Sequence, residues 1–133
     1  QKLKLDKTII DHVTRIVDEV TFKGPNLHKK PKSIEAQIVQ DADRLDAIGA
    51  IGTARTFNYG GYKGNELYNP NIPPKDYKSK EEYKSGNSPT LNHFYEKLLL
   101  LSERLNTETG KQIGKQRHQF MLNYLDQFFN EWN

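Results

Sequence analysis

Apolar residues in this chain recur every three or four positions in four separate stretches, and nowhere do they alternate. That period belongs to helices packed along one side, whereas a half-buried strand repeats every second residue. Ile9, Ile10, Val13, Ile16, Val17 and Val20 mark a first helix from Thr8 to Val20, buried on one side. Thr8, with Asp11 three residues on, reads as its N-terminal cap. Gly24-Pro25 ends it, and Pro25 to Lys32 reads as a lysine-bearing connection. Ser33 opens a second helix reaching about Asn58. Tyr59 to Pro89 holds four prolines, four glycines and five tyrosines without a sustained period. It reads as a long packed loop with a short helical turn around Ser79–Tyr83. Leu91, Phe94, Tyr95, Leu98, Leu101 and Leu105 stripe a third helix, Thr90 to Leu105. Asn106-Thr107 restarts the chain, and Ile113, Phe120, Met121, Tyr124, Leu125, Phe128 and Trp132 mark the last. The expected fold is all-α: a helical bundle of four helices with one long ordered loop.

Several functional classes are excluded early. A length of 133 residues suits one domain. With no cysteine, disulfide frameworks, thiol catalysis and Cys-based zinc sites are out, which fits a reducing, cytoplasmic setting. No apolar run approaches the roughly 20 residues that span a bilayer, so no membrane partner is expected. The net charge is only +3 and the basic residues are scattered, which argues against a nucleic-acid partner. Gln1 stands where an initiator Met is absent, so the expectation is that the natural start is trimmed or lies upstream.

The chemistry concentrates in Asp41-Ala42-Asp43-Arg44-Leu45-Asp46-Ala47-Ile48-Gly49-Ala50. Projected as one helix, Asp43 falls among Ala36, Ala47, Ala50 and Ala54, and Asp46 lies about 60° around, able to face the same cavity. Asp41 lies about 160° away, so it cannot share an ion with Asp43. A buried carboxylate must be paired, capped or bound to a cation. Periodicity alone favours internal pairing with Arg44, Arg55 or Arg104 over a metal or catalytic role.

The stretch around Asp43 resembles the last motif of HD-domain phosphohydrolases, in which an Ala-Asp-Arg-Leu run supplies a metal-binding aspartate. Phe22-Lys23-Gly24, Ala54-Arg55-Thr56-Phe57, Tyr59-Gly60-Gly61, Asn92-His93-Phe94-Tyr95-Glu96-Lys97-Leu98 and Asn106-Thr107-Glu108-Thr109-Gly110 extend the match along the chain. Together they resemble the small stand-alone bacterial HD hydrolases of the YpgQ-like and YedJ-like kind. The resemblance implies that residues 1–133 are the C-terminal part of a single HD domain. It makes Asp43 a ligand of a divalent metal ion (Mn²⁺, Mg²⁺ or similar), the other ligands being a His and an adjacent His-Asp pair on earlier helices. No His-Asp dipeptide occurs here, and His12, His28, His93 and His118 do not occupy such positions. The chain therefore starts after those helices, or it is a degenerate remnant acting as a non-catalytic interaction module.

The implied activity is hydrolysis of phosphate esters or anhydrides, with a small-molecule nucleotide as substrate: an NTP or dNTP pyrophosphohydrolase using a metal-activated water. A nucleotidase or phosphodiesterase of the same superfamily is the neighbouring alternative. A homodimer is one arrangement open to it. Asp46 is placed to orient the water. Lys23, Arg55, Lys63 and Lys97 are candidate phosphate contacts, His93 a substrate contact, and Tyr59 a base-stacking ring. A surface role is the commoner reading for each lysine taken alone. Tyr59-Gly60-Gly61-Tyr62-Lys63-Gly64 lacks the Gly-Lys-Ser/Thr of a Walker loop and reads as a turn or lid.

Overall fold

The computed structural model describes residues 4–20, 31–77 and 88–132. Phe22-Lys23-Gly24, His28, most of the lysine-bearing connection and the turn expected around Ser79–Tyr83 fall outside them. Among the described residues the regular structure is entirely helical. It comprises α1 (Lys7–Val20), α2 (Ile34–Asp46), α3 (Gly49–Lys63), α4 and α5 (Glu108–Trp132). The fourth is composite: a π-helical turn Phe94–Leu98, then Leu99–Leu101, then a 3₁₀ turn Ser102–Arg104.

The core is built from the α3–α4–α5 half of the molecule. Ile48, Leu91, Phe94, Leu98, Leu101, Met121 and Leu125 form one buried cluster, with Leu45, Phe57, Tyr68, Tyr124 and Phe128 packed against it. The Phe94 and Tyr124 rings stack at 5.9 Å. Tyr68 leaves the loop to meet Phe129 and Trp132 edge-on, both at 5.3 Å. Edge-on rings at that spacing add to simple area burial. Tyr77 is buried as well, so these two tyrosines pack the loop as expected.

The first helix departs from expectation. It starts at Lys7, capped by Asp6 rather than Thr8: Asp6 Oδ1 accepts from the Thr8 N–H at 2.7 Å. None of its residues is buried. Ile9, Ile10, Val13 and Val17 are 53, 46, 52 and 59% exposed, because α2, which packs against α1, covers only part of that stripe. Ser33 caps α2 as its sequence suggests, accepting from the Ala36 N–H at 3.2 Å.

The single long helix expected from Ser33 to Asn58 is two. Helix α2 stops at Asp46, Ile48 takes an extended conformation, and Gly49, at φ +79°, opens α3. The interruption swings Ile48 into the core, where it is 1% exposed. Only glycine takes that φ cheaply, and a Cβ at Gly49 would also lie 2.9 Å from Cγ of Arg117. Gly49→Ala is expected to cost about 2 kcal/mol from the backbone conformation alone. A urea midpoint equal to wild type would contradict this. Tyr59 to Lys63, expected in the loop, instead forms the last turn of α3, closed by Gly64 at φ +68°.

Helix α2 turns its polar side inward. Gln40, Asp41 and Arg44 are buried, while Ile34, Ile38 and Val39 face outward. Asp41 explains this inversion. Its Oδ1 accepts from the Asn106 N–H at 2.8 Å and Asn106 Nδ2 at 2.9 Å. Its Oδ2 accepts from the Thr107 N–H and hydroxyl, both at 2.8 Å. Thr107 Oγ1 in turn accepts from the Gly110 N–H at 3.0 Å, capping α5. Gly110 lets the two elements touch, since a Cβ there would sit 2.5 Å from Asp41 Oδ2. Arg44 donates to the Arg104 carbonyl at the end of α4. One carboxylate thus ties α2 to the start of α5 through four hydrogen bonds.

Candidate functional site

A cavity of about 950 Å³ opens between α3, α4 and the loop. Arg55, Tyr59, Tyr62 and Lys63 line it from α3; His93, Glu96 and Lys97 line it from α4. Positions 55, 59, 62 and 63 share a broad helical face, since 55/59 and 59/63 are four apart and 59/62 three apart. His93, Glu96 and Lys97 follow the same logic, three and four residues apart on α4.

Glu96 holds the loop against this wall. Its Oε1 accepts from Ser88 Oγ at 2.9 Å, the Lys75 N–H at 3.2 Å and Tyr77 Oη at 3.4 Å. Asn92, buried one turn earlier, donates from Nδ2 to the Ile72 carbonyl at 2.8 Å and to Ser88 Oγ at 3.1 Å. The chain on either side of residues 78–87 is therefore pinned to α4. A π-helical turn here widens the helix at a cavity wall, a placement such turns often take.

Burial pushes the His93 imidazole down to about 4, and the Lys97 charge adds to the effect. His93 is therefore neutral at physiological pH, with one ring nitrogen to donate and one to accept. Burial also lowers Lys97, opposed by the Asp43 carboxylate, whose charge reaches it from α2. Asp43, Lys97 and His93 thus form one electrostatic group across two helices.

Asp43 itself is exposed. The alanine-walled face expected around it does not form, because Ala50 and Ala54 belong to α3, beyond the break, and are exposed too. Asp46 is tied elsewhere: its Oδ2 accepts from Arg55 Nη1 in an exposed ion pair. Such a pair contributes at most about 1 kcal/mol. The buried carboxylate of the three is Asp41, 3% exposed, and its role is structural.

Five of the residues singled out from sequence, Arg55, Tyr59, Lys63, His93 and Lys97, come together on one cavity. Asp43 couples to that group through Lys97 and Asp46 through Arg55. Lys23 lies outside the described residues. Tyr62 and Glu96 were not anticipated. Tyr62 lay hidden in a glycine-rich stretch that resembled a turn, and the partners of Glu96 are 8 to 21 residues away in sequence.

Among the described residues, no three His, Cys, Asp or Glu side chains gather closely enough to hold a metal ion. The donors present do not fit a complete divalent-metal site, since a lone carboxylate cannot retain such an ion.

No family model matches the chain. It is 41% identical over 118 residues to the uncharacterized protein YpgQ of Bacillus subtilis (strain 168), covering 88% of this chain and 50% of that protein. The crystal structure of an HD-superfamily hydrolase from Bacillus thuringiensis superposes with a TM-score of 0.75 at 44% identity, covering 99% of this chain and 57% of that one. The chain has an HD-like fold. A crystal structure from Lactobacillus plantarum gives a TM-score of 0.81 at 39% identity, over 96% of this chain and 60% of that one. The structure of YpgQ in complex with ADP gives 0.73 at 35% identity, over 96% and 55%. The chain therefore spans half to three-fifths of the length of these HD-like relatives. No described helix is long and apolar enough to cross a membrane.

Proposed function

We propose that this chain is the C-terminal part of an HD-domain, metal-dependent phosphohydrolase that acts on nucleotides as a pyrophosphohydrolase. The observation that carries the reading is the cavity on which Arg55, Lys63 and Lys97 converge beside neutral His93. Clustered cations in a walled cleft suit the phosphates of a nucleotide. YpgQ, similar along nearly all of this chain, has been crystallised with ADP.

In this reading Asp43 contributes one ligand to a divalent ion whose other ligands lie outside the described residues. Held there, such an ion would supply Lewis acidity at the phosphate. Lys97 and Arg55 neutralise phosphate charge, and His93 donates or accepts a hydrogen bond without adding charge. Asp46 orients Arg55 rather than a water molecule. The half-exposed apolar stripe of α1, continued by Ile34 and Ile38 of α2, supports the view that further helices of the same domain pack there. The relatives have room for them, being 1.7 to 2 times as long as this chain's share.

The test is a panel of nucleoside triphosphates incubated with the intact gene product and Mn²⁺. Release of pyrophosphate is expected. Orthophosphate alone would indicate a nucleotidase instead. The absence of any phosphate release, with no bound metal, would favour the second reading, a non-catalytic helical module.

A further inference from the structure

The last turn of α3 carries two tyrosines whose exposure the fold does not require. Tyr59 and Tyr62 line the cavity beyond Arg55, yet they are 60 and 82% exposed. Tyr68 and Tyr124, by contrast, pack their rings against the core. The Tyr59 and Tyr62 rings lie 6.5 Å apart, tilted by 39°. Lys63 Nζ sits 5.7 Å from one centroid and 5.8 Å from the other. Two largely exposed rings with a cation beside both are chemically suited to a flat, electron-rich ring attached to an anion.

Geometry sets the direction in which such a ligand lies. Arg55 and Lys63 are eight residues apart on α3, so their backbones are separated by about 12 Å along the axis. Arg55 is at the end joined to Asp46, and Lys97 at the wall coupled to Asp43. Arg55 and Lys97 are thus toward one end, and the tyrosines, with Lys63 beside them, toward the other.

We propose that Tyr59 and Tyr62 form the platform on which the nucleobase stacks, with Lys63 beside it and the phosphates running toward Arg55 and Lys97. This rests on the nucleotide reading above and adds the orientation of the ligand and its base preference. Stacking engages the face of the ring, which every base has, and ignores the hydrogen-bonding edge. The site therefore accepts purine and pyrimidine nucleotides alike.

The experiment is calorimetric titration of the intact gene product with ADP, UDP and inorganic pyrophosphate. It compares wild type, a Tyr59→Ala/Tyr62→Ala double variant and the corresponding Phe double variant. Both positions are on the surface, and circular dichroism verifies that each variant is folded. The alanine pair is expected to weaken ADP and UDP alike, on the order of 10- to 100-fold, and to leave pyrophosphate unchanged. The Phe pair keeps wild-type affinity, because the ring rather than the hydroxyl makes the contact. Unchanged ADP affinity in the alanine pair overturns the platform, as does a parallel fall for pyrophosphate or a loss confined to one base. Wild type that binds pyrophosphate but neither nucleotide also overturns it while sparing the phosphate site. Wild type that binds none of the three removes the nucleotide reading itself.

Discussion

Replacing Asp41 with alanine is expected to destabilise the protein by about 3–5 kcal/mol. The loss follows from the four donors that lose their acceptor together: two N–H groups, the Asn106 amide and the Thr107 hydroxyl. The first two sit where α5 begins, so the variant also loosens the cap that Thr107 provides. In a domain whose whole stability is on the order of 5–15 kcal/mol, this is a large fraction. The melting temperature should fall by roughly 10–20 °C.

The same carboxylate has a pH signature. Burial pushes its ionisation up, but the hydrogen bonds from Thr107 and Asn106 outweigh it and hold the carboxyl below its ordinary value. A depressed folded value means that the stabilisation is complete above the unfolded value near 3.9 and disappears as pH falls through the folded one. Asp41→Asn should therefore flatten the acid limb of the stability curve relative to wild type. Denaturant midpoints measured from pH 7 down to pH 2.5 check this. Parallel curves for the two proteins would remove the assigned role.

Asp43→Ala should have the opposite profile. Its side chain is exposed, so the stability should change by no more than about 0.5 kcal/mol. Hydrolysis by the intact gene product should fall on the order of 10³-fold, the effect of withdrawing a ligand from the ion that stabilises charge at the phosphate. Metal content should fall with it. If the variant retains as much Mn²⁺ as wild type, Asp43 is not a ligand. The comparison between neighbours is decisive in another way: Asp41 and Asp43 are two residues apart, yet one should govern folding and the other chemistry.

Helix periodicity depends on local sequence, and it is there that the residues were most legible. The all-helical class, the Ser33 cap and the restart at Asn106-Thr107 follow from side chains that act within one or two turns of themselves. The group Arg55, Tyr59, Lys63, His93 and Lys97 was legible as candidates, because motifs repeat residue types at fixed spacing. Their convergence on one cavity was not, since it depends on how α3 and α4 pack.

The stretches that the structure places differently have in common that no local window of sequence contains what decides them. One glycine at φ +79° interrupts what composition presents as a continuous helix, and every angle projected across it is lost. The inward turn of Gln40, Asp41 and Arg44 has partners 60 or more residues away, which no window on α2 can contain. The stripe on α1 is apolar in sequence, but α2, which packs against α1, leaves about half of it exposed.

What the residues determined alone is the helical period, the caps and the chemical types available, because these arise from contacts within a few positions. The tertiary structure alone decided which aspartate is buried, which pairs with Arg55 and which remains open beside Lys97. Those outcomes are set by the long-range packing of α2 against the start of α5, where hydrogen bonds to Asp41 outweigh the apolar residues that face outward on the same helix.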